Sequence, residues 1–257
     1  MGGIDQFRLP VRDQRRIVHP QDSQTNDPSA PVLPNTKEAH DPKGAPPPLV
    51  DVDAVTVMAG GTLLLPLTTF WAMPGQIVVL RGENGSGKTT LLRTLAGRIR
   101  PTTGTIQLNG QPVNERDPEF RRSVAVMIGL PPMASDLTVF DHVALVSSTW
   151  EESPGSVDTA TRGVLDEFGL TGLGPRYPHE LSSGQTQLFG LALVFVRAFD
   201  LLLLDEPEQR LDPGRVELLA QAMLARRANG ATIVAATHSS SLADRTADLT
   251  VTLKAQA

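Results

Sequence analysis

The sequence predicts an α/β fold with a mostly parallel core sheet, an antiparallel β subdomain and an inserted helical subdomain. Three observations carry this reading. First, short apolar runs at Gln76–Leu80, Val124–Ile128, Leu201–Leu204 and Thr232–Ala236 alternate with stretches of helical spacing. Strands buried on both faces of a parallel sheet read as such continuous runs. Second, the first run leads into Gly82-Glu83-Asn84-Gly85-Ser86-Gly87-Lys88-Thr89-Thr90, which fits G-x-x-x-x-G-K-[ST] at every required position. Third, Val50–Val57 alternates apolar and polar residues and turns at Gly60-Gly61 into Leu63-Leu64-Leu65, the pattern of an antiparallel hairpin.

Composition narrows the function classes. A chain of 257 residues permits one large α/β domain or two small ones. The net charge of −5 argues against a basic nucleic-acid surface, so no nucleic-acid partner is expected. With no cysteine there is no disulfide, zinc–thiolate site or cysteine nucleophile, which is compatible with a cytosolic setting. The longest apolar stretch, Leu188–Leu204, carries Arg197 and Asp200 and reads as a helix followed by a strand rather than a bilayer span. The N-terminal residues lack the apolar core of a signal peptide.

Residues 1–48 are rich in proline and polar side chains and offer few apolar residues to offset the entropy of ordering, so a disordered tail is expected. Arg8, Arg12, Arg15 and Arg16 in it read as a solvated cluster, with contact to acidic lipid or a partner as the alternative. The folded domain is expected over residues 49–257. Met73-Pro74-Gly75 turns into the strand before the glycine loop. After that loop, Leu91, Leu92 and Leu95 follow at helical spacing and Gly97 stands where a helix would stop. Thr105–Leu108 is a strand closed by Asn109-Gly110. Thr138–Leu170 is helical in character and interrupted at Ser153-Pro154-Gly155, the basis for a helical subdomain over about residues 130–180. A helix after Gly184 and another from Pro213 to Arg227 flank the apolar Leu201–Leu204 run.

The chemistry expected of these residues follows from their placement. Strand, glycine loop and helix start aim successive backbone N–H groups and the positive end of a helix dipole at one spot, an anion cradle. Lys88 is expected to reach the β- and γ-phosphates of a nucleoside triphosphate, and the Thr89 hydroxyl to ligate Mg²⁺. The Leu201–Leu204 run ends in Asp205-Glu206, at the carboxyl edge where such sheets bind ligands. Asp205 is expected to hold Mg²⁺ through water, and Glu206 to polarise the water that attacks the γ-phosphate.

With Leu181-Ser182-Ser183-Gly184-Gln185 added, the chain resembles the ATP-binding cassette family, whose signature Leu-Ser-Gly-Gly-Gln differs by one small residue. The lead-in Pro178-His179-Glu180 is similar too, and the resemblance covers about Leu49–Leu253. It implies that Ser182, Ser183, Gly184 and Gln185 meet the ATP held by a second subunit, in a homodimer or heterodimer with two ATPs between the protomers. It implies that His238 contacts the γ-phosphate and that Leu211-Asp212 run across the dimer interface. It further implies a transmembrane permease as partner, docked near Leu130–Leu137, and a place on the cytoplasmic face of the membrane.

The chain departs from that family at several positions. Gly129 stands where a glutamine is expected, and Arg210 where a small residue is usual. Leu188 and Leu193 replace common arginines, which points to a more deeply packed helix. No aromatic residue lies at Val57 or Met58 to stack on adenine, leaving Met58 to pack on the base through its sulfur. The leading reading is the ATP-binding and ATP-hydrolysing subunit of a transporter. The alternatives are a non-transport cassette ATPase or a weakly hydrolysing regulatory cassette. Substrate and direction of transport are not legible in an ATPase subunit.

Overall fold

The structure, a computed structural model, describes residues 47–150 and 153–254. The tail expected over residues 1–48, with its four arginines, lies outside the described residues except for Pro47 and Pro48.

β1 (Val50–Ala59) and β2 (Thr62–Ala72) form the hairpin that Gly60-Gly61 promised. β3 (Ile77–Arg81) leads through the glycine loop into α1 (Lys88–Leu95). β4 (Thr103–Leu108) and β5 (Gln111–Pro112) close on Asn109-Gly110, both with positive φ. α2 (Pro118–Ser123), capped by the Asp117 carboxylate, precedes β6 (Val124–Ile128). α3 (Val139–Ser147) and α4 (Pro154–Glu167) follow, then α5 (Ser183–Phe195) and β7 (Leu201–Asp205). α6 (Pro213–Ala228), β8 (Thr232–Ala236), α7 (Ser240–Thr246) and β9 (Leu249–Thr252) complete the described chain.

Two sheets result. One is antiparallel, in the order β2-β1-β4-β5. The other runs β6-β7-β8-β3-β9, with every neighbouring pair parallel. Period-two alternation divides the parallel strands between two cores. Val78, Leu80, Leu201, Leu203, Val234 and Ala236 join α1 and the antiparallel sheet in one of them. Ile77, Val79, Leu202, Leu204, Ile233 and Ala235 join the helices α3 to α7 in the other. In β3, β6, β7 and β8, covered on both faces, polar residues occur only at the strand ends, and Asp205 is one of them. Among the described residues no helix is long and apolar enough to cross a membrane.

The break expected at Ser153-Pro154-Gly155 is a helix start. Ser153 and Ser156 cap reciprocally, and Pro154 occupies the first turn, where its missing N–H costs nothing. The loop before α3 is held by the buried ring of His142. Its Nε2 accepts from the Ala134 N–H at 2.9 Å, so the proton lies on Nδ1, which donates to the Thr138 carbonyl at 2.7 Å.

Arg226 joins three helices. Its guanidinium donates to both Glu167 oxygens at 2.8 Å, reaches the Phe195 carbonyl at 3.3 Å and lies over the Phe195 ring. Both partners are about three-quarters buried, so the pair stands between a surface and an interior ion pair. Arg226→Ala is expected to lower stability by about 2 kcal/mol, measured as the urea-unfolding free energy.

Candidate active site

Strand register brings the site together. Leu80 of β3 and Asp205 of β7 both pair with Ala236 of β8. The segments that follow these positions therefore emerge side by side: the glycine loop, Glu206 and Thr237-His238. This is the carboxyl edge, where parallel sheets bind ligands.

In the glycine loop, Glu83, Asn84 and Gly85 are exposed at the tip while Ser86 and Lys88 are buried. Lys88 Nζ donates to the Gly82 carbonyl at 2.8 Å and the Glu83 carbonyl at 3.0 Å, which folds the loop around the ammonium. Ser86 Oγ is buried with no hydrogen-bond partner among the described residues. Gly87 begins α1 at φ +97°, and no side chain caps the helix, so its first-turn N–H groups stay open to an anion. A Cβ on Gly87 would lie 2.7 Å from the Leu64 carbonyl oxygen, so only glycine lets the loop meet β2. Met58, 47 % exposed, pairs with Leu63 in that same hairpin. Thr90 lies half-buried in the first turn, and its carbonyl accepts from the Thr94 hydroxyl at 2.7 Å.

Thr89 Oγ1 donates to Asp205 Oδ2 at 2.8 Å, joining the loop to the end of β7. Burial pushes the Asp205 carboxyl above its ordinary range; the Thr89 hydrogen bond opposes the rise and the charge of Glu206 adds to it. Because the folded-state value is raised, this group stabilises the fold below its unfolded value and loses that contribution as pH rises through the folded one. Asp205→Asn is therefore expected to stabilise the fold slightly at neutral pH, measured by thermal unfolding without metal.

Glu206 adopts φ +47°, and its N–H donates to the Ala236 carbonyl at 2.9 Å. Its carboxylate is shared between two neighbours. Oε1 lies 3.3 Å from His238 Nε2, and Oε2 accepts from Gln209 Nε2 at 3.0 Å. Beside them opens a cleft of about 210 Å³, lined in part by Gly129, Gln187, Asp205, Glu206, Gln209 and Arg210. Gly129 brings no side chain to it. Gln209 and Glu208 are functional candidates that sequence reasoning missed; their one signal is that they follow the acidic strand end.

Ser182 and Gln185 cap α5 reciprocally: Gln185 Oε1 accepts from Ser182 N at 2.8 Å, and Ser182 Oγ from Gln185 N at 3.4 Å. Ser183 opens the helix. A Cβ on Gly184 would stand 2.9 Å from the Arg210 carbonyl, so α5 abuts the loop after β7 closely. Gln187 Nε2 braces the contact by donating to the Pro207 carbonyl at 2.9 Å. From Leu188 to Phe195 the helix is buried throughout, as leucines at positions 188 and 193 led one to expect. Asp212 caps α6 by accepting from Arg215 N at 3.0 Å. The fold thus gathers Lys88, Thr89, Asp205, Glu206 and His238. Among the described residues no hydrogen bond joins the 82–90 loop to 182–185.

Residues 68–209 match the family model described as ABC transporter. A sulfate/thiosulfate import ATP-binding protein, CysA of Mycobacterium tuberculosis, is 37 % identical over 164 residues, 64 % of this chain and 46 % of the relative. The chain thus spans about half the length of that relative. The cell division ATP-binding protein FtsE of Escherichia coli is 31 % identical over 190 residues, 72 % of this chain and 86 % of that protein. A solved structure titled as the ATP-binding subunit of an ABC transporter aligns with a TM-score of 0.72 at 29 % identity, covering 81 % of this chain and 88 % of that one.

Proposed function

The chain belongs to the ABC transporter family, and from that premise we propose that it binds and hydrolyses ATP to drive a separate transmembrane permease. One observation carries the proposal: the Thr89–Asp205 bond at 2.8 Å and the Glu206–His238 contact at 3.3 Å lie beside the Lys88 loop on one sheet edge.

The backbone N–H groups of Gly85 to Thr90 and the Lys88 ammonium take the phosphates, with Gly82, Glu83 and Asn84 shaping the loop. The paired oxygens of Thr89 and Asp205 suit Mg²⁺, a hard cation content with one or two protein ligands beside phosphate and water. When bound, the metal supplies charge neutralisation on the phosphate oxygens. Glu206 orients and polarises the attacking water. The water oxygen bonds to the γ-phosphorus, the bond to the bridging oxygen breaks, and ADP and inorganic phosphate leave. His238, 3.3 Å from Glu206, touches the γ-phosphate. Met58 meets the adenine.

Ser182 to Gln185 complete the site of a second cassette, identical or paralogous, since they share no hydrogen bond with the loop of their own chain. Closure on ATP and reopening after hydrolysis move the permease by population shift. The helical segment over about residues 130–180 carries the docking surface, on the cytoplasmic face of the membrane, and residues 49–257 form the cassette. A second reading, a weakly hydrolysing regulatory cassette, rests on Gly129, which leaves the cleft without a glutamine at that edge.

Full-length tagged Glu206→Gln, expressed in its native host and solubilised gently with ATP and Mg²⁺, tests the transporter reading. A stoichiometric multi-pass membrane protein is expected to co-purify. A cytosolic complex without one, reproduced with the unmutated chain, overturns the reading in favour of a non-transport ATPase. Steady-state turnover of the complex purified with the unmutated chain then separates the competent from the regulatory cassette.

A further inference from the structure

The loop after β7 turns back on itself after Glu206 and sends its next charged side chain, Glu208, under the turn that follows β8. Three donors converge on one oxygen of that carboxylate. Glu208 Oε1 accepts from the Thr237 hydroxyl, from the His238 N–H at 3.1 Å and from the Ser239 N–H at 3.2 Å. The second N–H is shared with Thr237 Oγ1 at 2.9 Å, so hydroxyl, carboxylate and two amides form one closed cluster. Oε2 of the same carboxylate is buried and has no partner among the described residues.

Such an arrangement is expensive unless something fixes the carboxylate. A half-buried charge with one unpartnered oxygen rests on the donors gathered at the other, and charge-assisted bonds of this kind exceed neutral ones in strength. Those donors all belong to residues 237–239, the turn that ends β8 and caps α7 through Ser239. Glu208 therefore fixes the backbone at His238, while Glu206, two residues earlier, receives the ring of the same histidine at 3.3 Å. One short loop meets His238 twice, through a hydrogen bond from its amide to Glu208 and a 3.3 Å contact from Glu206 to its imidazole.

We propose that Glu208 is a positioning residue that locks the Thr237–Ser239 turn so that His238 meets Glu206 in the arrangement hydrolysis needs. The proposal rests on the ATPase reading above. It assigns Glu208 no contact with the nucleotide; its action passes through the histidine. The required property is an acceptor at the Oε1 position, which the negative charge strengthens.

Three full-length variants decide it. Glu208→Ala removes the acceptor, and kcat for ATP hydrolysis is expected to fall at least about tenfold with KM changed less than about twofold, the pattern of an interaction that matters in the transition state. Glu208→Gln keeps an oxygen where Oε1 stands and is expected to restore most of the rate. Glu208→Asp draws the acceptor back by one methylene and is expected to behave like the alanine variant. A wild-type kcat in Glu208→Ala, or a Glu208→Gln variant as slow as alanine, overturns the proposal. Amide hydrogen exchange supplies the readout that needs no turnover. The His238 and Ser239 amides are expected to exchange faster in Glu208→Ala and nearer the wild-type rate in Glu208→Gln, and unchanged exchange in Glu208→Ala overturns the proposal too. If the wild-type chain with its partner hydrolyses nothing, the ATPase reading falls, and the exchange experiment still decides the Glu208 contact.

Discussion

Glu206→Gln is expected to slow ATP hydrolysis at least about 100-fold while changing ATP affinity less than about threefold. The substitution conserves shape and adds no strain to the backbone, which glutamine tolerates at φ +47° as glutamate does. Its carbonyl oxygen can still receive the His238 ring, now 3.3 Å from Oε1, so the site keeps its architecture. What disappears is the negative charge that, in the proposed mechanism, draws a proton from the attacking water. Phosphate release under single-turnover conditions gives the rate, and titration with a fluorescent nucleotide gives the affinity. A variant that hydrolyses ATP within twofold of wild type shows that another group activates the water. A variant that loses binding as well shows that Glu206 shapes the nucleotide site itself.

The parts of this site that were legible in the sequence are those that local pattern dictates. Val124–Ile128 and Thr232–Ala236 form strands with the bounds their apolar runs implied. The glycine loop sits between a strand and a helix, as the motif requires. Once a parallel sheet was inferred, Asp205 and His238 had to fall at one edge, because consecutive parallel strands end on the same side. Short elements escaped. α2 and α7 span six and seven residues, less than two helical turns, too few for periodicity to register. β9 is a four-residue edge strand that gains its place by pairing with β3, a partner some 170 residues upstream that no local window contains.

The missed functional residues have a different cause. Glu208 and Gln209 lie in an irregular segment with no periodicity to read, and their contacts depend on the positive φ of Glu206 turning the chain back toward β8. Sequence alone presents them as solvated polar loop residues. The same loop bears on the absent glutamine at Gly129. Gly129 and Gln209 line one cleft with Asp205 and Glu206, and the carboxamide that reaches Glu206 there comes from Gln209. The serine-for-glycine change at Ser183 is also accommodated locally: Ser182 and Gln185 complete the cap, and the close approach to the Arg210 carbonyl falls on Gly184 instead.

Lys88→Ala is expected to abolish measurable ATP binding, at least about a 100-fold loss, equivalent to about 2.7 kcal/mol or more. Lys88 is 6 % exposed, and its ammonium is already bonded to two loop carbonyls at 2.8 and 3.0 Å. It therefore does two things: it holds the loop in a curve that presents its N–H groups, and it places a positive charge inside that curve. Alanine removes both. Lys88→Arg restores the charge but not the fit, since a planar guanidinium is larger than an ammonium and buries poorly in a site of this size, so it too is expected to bind weakly. Thermal unfolding separates lost binding from lost folding. ATP with Mg²⁺ at 100 times the dissociation constant stabilises a native state that binds it by about 2.7 kcal/mol. The wild-type chain is expected to show that gain, and Lys88→Ala to unfold at one temperature with or without nucleotide. A nucleotide-dependent gain of the wild-type size in Lys88→Ala shows that phosphate recognition rests on the backbone cradle alone.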